Sequence, residues 1–275
     1  MKNFTAKILL FLASIVLATI AFPARNQVGQ ERRGGSAKED LAKILSKHSA
    51  LPPVARFDEP SVPQDAQEQE RRQSRDRVSK GSYTHKVIMD PGVREINGQS
   101  EGIDLTFIDT VTVLKPGQVP DPKGLPITGY IIVIGTVTSG KAYVNQEHTG
   151  VFSEYRLTIT DVLKPDPDNA ISARDEIPAW LPGGTLQFQS GHVTHFIIAG
   201  SNYPEIGTQY VFFLRRPDRA VKDYIISTAY SIKDQVVAPL DGLESPPSPF
   251  EGMAVNEFLD KLRKEISVRR EGGND

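Results

Sequence analysis

The sequence predicts an all-β fold, a small antiparallel barrel followed by a C-terminal helix. Three observations carry this. Apolar residues recur with a period of two between Tyr83 and Pro239. Glycine-rich turn signals punctuate that region. No helical period of four turns occurs within it, which argues against βαβ units and a parallel sheet.

The strands justify themselves in order. Ile103, Leu105, Phe107, Val111 and Val113 alternate with Asp104, Thr106, Thr110 and Thr112. Tyr130–Ile134 is a continuous apolar run, expected of a strand buried on both faces. Gly135 inside it predicts a bulge or sharp bend. Tyr155, Leu157 and Ile159 alternate with Arg156, Thr158 and Thr160, one dry face and one wet. Val193–Ala199 is a further candidate strand, Tyr210–Leu214 a second doubly buried run, and Tyr224, Ile226, Thr228, Tyr230 and Ile232 another one-faced set. Asn97-Gly98, Gly140, Gly150, Pro182-Gly183-Gly184 and Gly207 supply turns. The β domain is thus expected over 83–240. A Pro-rich spacer (241–252) follows, then an amphipathic helix (253–270). Val255, Phe258, Leu259, Leu262 and Ile266 share one face of that helix, and packing on the domain is the simplest use for it.

The front of the chain reads differently. Lys2 and Lys7 precede an uncharged apolar run, Ile8–Phe22, and Ala21 precedes a plausible cleavage point. Residues 1–22 read as an export signal, with a retained N-terminal anchor as the alternative. The run is shorter than the ~20 residues a spanning helix needs. The expected location is periplasmic or extracellular. From 23 to 82 the chain is polar, with Phe57 its only aromatic residue, and is expected to be a disordered linker with one short helix at 37–47. Ser36 and Glu39 would cap that helix.

Charge and composition exclude several functions. The 275 residues have a formal net charge of −2, so no general basic field points to nucleic acid. Residues 1–81 carry 14 Lys and Arg against nine Asp and Glu, leaving 18 against 25 in the remainder. Arg71, Arg72, Arg75 and Arg77 form the strongest basic cluster. They suggest weak contact with an anionic surface, or a solvated linker. The absence of cysteine removes disulfides, thiolate chemistry and Cys-ligated metals.

Ile132–Val137, Tyr155–Lys164, Pro182–Phe188 and Gly207–Leu214 follow one another as barrel strand and turn motifs. Over roughly 126–240 this order resembles the OB-like barrel of secreted bacterial proteins. That barrel is similar in fold to the netrin-like module and to the inhibitory domain of tissue metalloproteinase inhibitors. The resemblance implies an OB-like fold. Those inhibitors chelate a protease zinc through an N-terminal cysteine, which this chain does not have. Pro165 replaces the usual glycine after Lys164, and an insertion, Asp166–Leu181, is expected to lengthen the next loop.

Motifs for catalysis are weak. Gly135–Lys141 matches a phosphate-binding loop, but Ala142 stands where Ser or Thr should hold magnesium, and no helix follows. His192 and His195 are spaced like ligands, yet residues three apart in a strand point to opposite faces. His148 beside Glu147 reads as a wet hairpin tip. Asp166, Asp168 and Asn169 hint at calcium, but Ala170 breaks the loop pattern. Asp104 and Asp109 cannot face one another along a strand. No catalytic residue, metal site or cofactor is therefore expected. The candidate ligand-binding residues are the aromatics Tyr143, Phe152, Tyr155, Trp180 and Tyr203, with core packing as their ordinary use. The reading is an exported, non-enzymatic module that binds an envelope or extracellular protein or polymer. The alternatives are a protease-inhibitor-like module or an envelope enzyme with a loop-assembled site.

Overall fold

The computed structural model describes residues 52–59, 63–79, 87–90, 93–96, 99–102, 109–114, 127–198, 201–240 and 248–271. All lie in one compact unit, Ile44–Asp275. The export signal, the helix expected at 37–47 and spacer residues 241–247 lie outside the described residues.

The longest strands form a hairpin, β5 (Ile131–Val144) and β6 (Val151–Lys164). Asn145 organises its tip: its Oδ1 accepts from the amides of Thr149 (2.8 Å) and Gly150 (3.0 Å). The register slips at Ile134/Gly135, as the glycine predicts. A Cβ there would lie 3.0 Å from the Thr158 carbonyl. Strand β6 runs on to β7 (Glu176–Pro182). This corrects the expected loop insertion: Ile177, Ala179 and Leu181 alternate inward, so its last third is strand.

Strands β10 (Gln209–Arg215) and β11 (Tyr224–Lys233) complete the main sheet with β12 (Val236–Pro239). Five of these strands are joined in a ring of pairings. β5 pairs antiparallel with β6 and β10, β6 with β7, and β10 with β11. β7 pairs parallel with β11 through Ala179 and Trp180.

The doubly apolar runs explain the layering. Alternate residues of β5 and β10 (Val133, Val137, Tyr210, Phe212, Leu214) face one core with Tyr155, Leu157 and Ile159. Their neighbours (Ile132, Ile134, Val211, Phe213) face helix α2 (Val255–Glu271), which inserts Phe258, Leu259, Leu262 and Ile266. The amphipathic face read from the sequence is thus the docked face. Each fully buried apolar side chain there stabilises by roughly 1.5–3 kcal/mol relative to exposure. In β11 the expected single face is split. Thr228 opposes Phe213 and Ile226 opposes Leu214, so Ser227 is an extra residue. Tyr224 and Ile226 consequently face the first core, and Tyr230 and Ile232 face α2.

A second sheet has the order β1 (Val54–Arg56), β8 (Gly184–Gln187), β9 (Val193–Ile198), β4 (Asp109–Leu114). Its β1–β8 and β4–β9 pairs are parallel, which an antiparallel reading did not include. Strands β2 (Val93–Ile96) and β3 (Gln99–Gly102) pair on either side of the expected Asn97-Gly98 turn.

The linker expected over 23–82 contributes β1 and a helix, α1 (Ala66–Ser79), to the folded unit; residues 23–51 and 80–82 lie outside the described residues. Helix α1 buries Arg71, Ser74, Arg75 and Ser79, which a count of apolar residues does not anticipate. A capping signal was nevertheless present. Asp65 Oδ1 accepts from the Gln67 amide (3.0 Å), with Glu68 three residues on.

Gly183 joins β7 to β8 at φ 93°. A Cβ there would collide with the Tyr203 hydroxyl and the Phe196 carbonyl. Gly191 also has positive φ but has open space around it. Gly183→Ala is therefore expected to cost at least ~3 kcal/mol, strain plus overpacking, and Gly191→Ala only ~1 kcal/mol. Urea unfolding of the two variants against the parent measures the difference.

Candidate functional site

Residues spaced widely in sequence converge beneath α1. Tyr143 on β5, Phe152 and Glu154 on β6, Trp180 on β7 and Asp223 before β11 form the floor. Tyr143 and Phe152 stack at 5.4 Å and 18°, and Phe152 meets Trp180 edge-on at 5.4 Å. Arg75 reaches into this floor and has no solvent-accessible side-chain surface. Its Nε and Nη2 donate to the two Asp223 oxygens (2.6 and 2.5 Å), and its Nη1 donates to Glu154 (2.6 Å) and the Tyr143 hydroxyl (3.1 Å). Burial disfavours the Arg75 charge, but Asp223, Tyr143 and Glu154 outweigh it and hold the guanidinium protonated. Burial also pushes the Asp223 carboxyl and the Tyr143 hydroxyl up, against the pull of Arg75.

Around this centre the contacts are ionic. The Arg72 guanidinium lies 3.9 Å over the Tyr143 ring and pairs with Glu68 (2.6 Å). Glu68 also accepts from Lys141 (2.6 Å). Asp218 receives Ser74 and Arg77, each at 3.1 Å. Arg71 is buried, and its Nε and Nη2 have no partner. The four arginines, read as a weak contact for an anionic surface or as a solvated linker, turn toward this domain's own acidic residues or bury against it. Arg77 alone keeps its side chain largely in water (59%).

The five candidate aromatics separate into two groups. Tyr143, Phe152 and Trp180 form the floor under α1 and are buried by it. Tyr155 and Tyr203 belong to the main core. The Tyr203 hydroxyl lies within hydrogen-bond distance of the Pro182 (3.1 Å) and Phe196 (3.2 Å) carbonyls and clasps the Gly183 bend. None of the five presents a free ring.

The weaker motifs also find structural uses. Gly135–Lys141 is continuous strand within β5, with no phosphate loop. His195 on β9 lies 2.9 Å from Thr185 Oγ1, while His192 packs against Phe188. His148 at the hairpin tip packs on Phe57. Asp166 and Asp168 hold the guanidinium of Arg216 at 3.1 and 2.8 Å, so the charge between them is an arginine. Among the described residues no group of His, Asp and Glu is arranged to hold a metal. No helix among them is long and apolar enough to cross a membrane.

Arg216 floors an open cleft of about 480 Å³. Tyr130, Ile131, Pro165 and Pro167 give it apolar walls, and Lys164, Asp166, Asp168 and Arg219 give it charge. Lys164 donates to the Ile127 carbonyl (2.5 Å), and the side chain of Arg219 stands 86% exposed on the rim. Sequence reasoning missed this cleft because its two arginines come from the β10–β11 connection, some 50 residues after its acids.

No protein-family model matches the chain, and no curated protein matches it.

Arg75→Ala removes the cation that bridges Asp223 and Glu154, leaving Glu154 only a longer 3.9 Å pair with Arg156, and is expected to lower the opening free energy of α1 by about 3–5 kcal/mol. Arg77→Ala, at an exposed pair, is expected to change it by less than ~1 kcal/mol. Native-state hydrogen exchange of the α1 amides measures both.

The pH dependence has a definite sign. Burial raises the Glu68 carboxyl, but the hydrogen bond and charge of Lys141, with Arg72, hold it below its ordinary 4.5. A depressed carboxyl stabilises above its unfolded value, and that contribution is lost as pH falls through the folded one. Lys141→Met is expected to flatten the part of the stability profile below about pH 4.5, as read by unfolding at a series of pH values.

Proposed function

We propose that this chain is an exported, non-enzymatic binding module on an OB-like barrel, acting in the bacterial envelope or outside the cell. The ring of five pairings supports the barrel. The first three strands form a meander, the fourth pairs with the first, and the fifth returns parallel to the third. The apolar leader at 8–22 supports export.

The cleft at the ends of β5, β6 and β10 carries the binding reading. It combines apolar walls with a few placed charges, the composition expected of a ligand site. Its floor is preorganised, since Arg216 is fixed by both Asp166 and Asp168. Arg219 shares Asp168 with Arg216 at a longer 3.5 Å and keeps most of its surface in water. An extended protein or polymer segment bearing a carboxylate fits this arrangement: Tyr130 and the prolines take its apolar part, and Arg219 takes its charge.

The test is a crosslinking pull-down of the full chain from envelope extract of its own cells. The parent is expected to capture a defined partner. Arg219→Glu is expected to weaken capture at least about tenfold by reversing the rim charge. Equal capture by Arg219→Glu removes the cleft from the reading. A hydrolytic activity abolished by replacing one polar residue removes the non-enzymatic assignment.

A further inference from the structure

We propose that the groove beneath α1 is a recognition site for a guanidinium-bearing segment, and that α1 is a resident occupant exchangeable for an arginine-containing segment of a partner protein. This does not depend on the cleft near Arg219.

The groove has the chemistry of an arginine site. It offers two carboxylates, Glu154 and Asp223, beside stacked aromatic rings. One guanidinium is gripped by both acids, and the carbon of a second lies 3.9 Å over the Tyr143 ring. The fork geometry at Asp223 uses two nitrogens at once, and a third nitrogen reaches Glu154. A lysine ammonium cannot reproduce this, because it is a point charge without a planar face.

The occupant is held differently from an ordinary packed helix. Every buried residue that α1 contributes is Arg or Ser, and its one aliphatic residue after Ala66, Val78, is exposed. The apolar burial that normally fixes a helix on a domain is therefore missing. The fit is also incomplete. Arg71 is buried with its Nε and Nη2 unpartnered, and the Trp180 Nε1 beneath is likewise buried and unpartnered. Departure of α1 returns the Arg71 nitrogens to water. A replacement segment with a carbonyl or carboxylate opposite Trp180 satisfies the indole as well. Buried donors without partners weigh against the resident and in favour of a competitor that pairs them.

Spontaneous opening is opposed by the same acids, which would lose their bridging guanidinium and keep only the 3.9 Å pair of Glu154 with Arg156. The groove is thus expected to exchange one arginine for another in preference to standing empty.

Trp180 is the only tryptophan of the chain, so its emission reports the groove directly. The experiment uses the full chain carrying Arg75→Ala and, as probe, a synthetic peptide of residues 63–80. The variant is expected to show red-shifted Trp180 emission with its sheet circular dichroism retained. The peptide is expected to bind and restore the parent emission. A second peptide, with lysine at positions 71, 72, 75 and 77, is expected to bind at least about tenfold more weakly. Failure of the arginine peptide to bind the folded variant overturns the proposal, as does equal binding of the lysine peptide. Should Arg75→Ala fail to fold, hydrogen exchange of the parent decides. Exchange of α1 amides well ahead of those in β5 and β6 supports a displaceable helix. Exchange only in concert with β5 and β6 overturns it.

Discussion

Two neighbouring strands with apolar residues on both faces constrain this molecule more than any other feature. Ile131–Ile134 and Val211–Leu214 have no wet side, so each strand needs a core on one face and a cover on the other. The ring of pairings supplies the first and α2 the second. The covering helix must then be apolar on one face, and its Phe258 and Leu262 are fully buried. Closing the ring also forces β5 and β6 to bend, and the register slips and Gly135 absorb that bend. The chain has no cysteine, so no disulfide shares the load and packing sets the stability of this layer.

The other cover, α1, follows another rule. It brings cations to a region where the β domain concentrates acid. The imbalance of charge between the front of the chain and its body is partly resolved here, through Arg75 with Asp223 and Glu154 and Arg77 with Asp218. Burying such a triad gains little over an apolar seam of the same volume, because desolvation offsets most of the attraction. It gains geometry. Three guanidinium nitrogens with fixed acceptors set the rotation and register of α1 in a way that a greasy contact does not. The seam is specific before it is strong.

Much of the β architecture was legible because it rests on period and punctuation. The alternation at Tyr155–Thr160, the two doubly apolar runs and the face of α2 each read correctly from spacing alone. The split face of β11 was not legible, since a bulge at Ser227 leaves no mark in a pattern of alternating apolar residues. Neither was α1. Its burial rests on partners 68 to 148 residues away, and no local rule turns Arg-Arg-Gln-Ser-Arg into a docked helix. Asp65 and Glu68 announced a helix start without saying where the helix would go. Of the aromatic candidates, Tyr143, Phe152 and Trp180 share one place, under a helix that the sequence reads as linker. The Asp166–Asp168 pair was read as acidic without its cation, because Arg216 enters from another hairpin.

That hairpin ties the two candidate sites together. Between Arg216 and Asp223 the connection from β10 to β11 carries Arg216 and Arg219 to the cleft, and Asp218 and Asp223 to the seam under α1. It is held by its own turn, in which Asp218 Oδ1 accepts from the Ala220 amide at 3.0 Å. It is also held at its far end, where the Tyr224 hydroxyl accepts from Asn169 at 2.6 Å. The cleft and the seam under α1 therefore draw their side chains from one short connection. Eight residues thus supply both the rim cation of the cleft, Arg219, and the carboxylates that hold α1, Asp218 and Asp223.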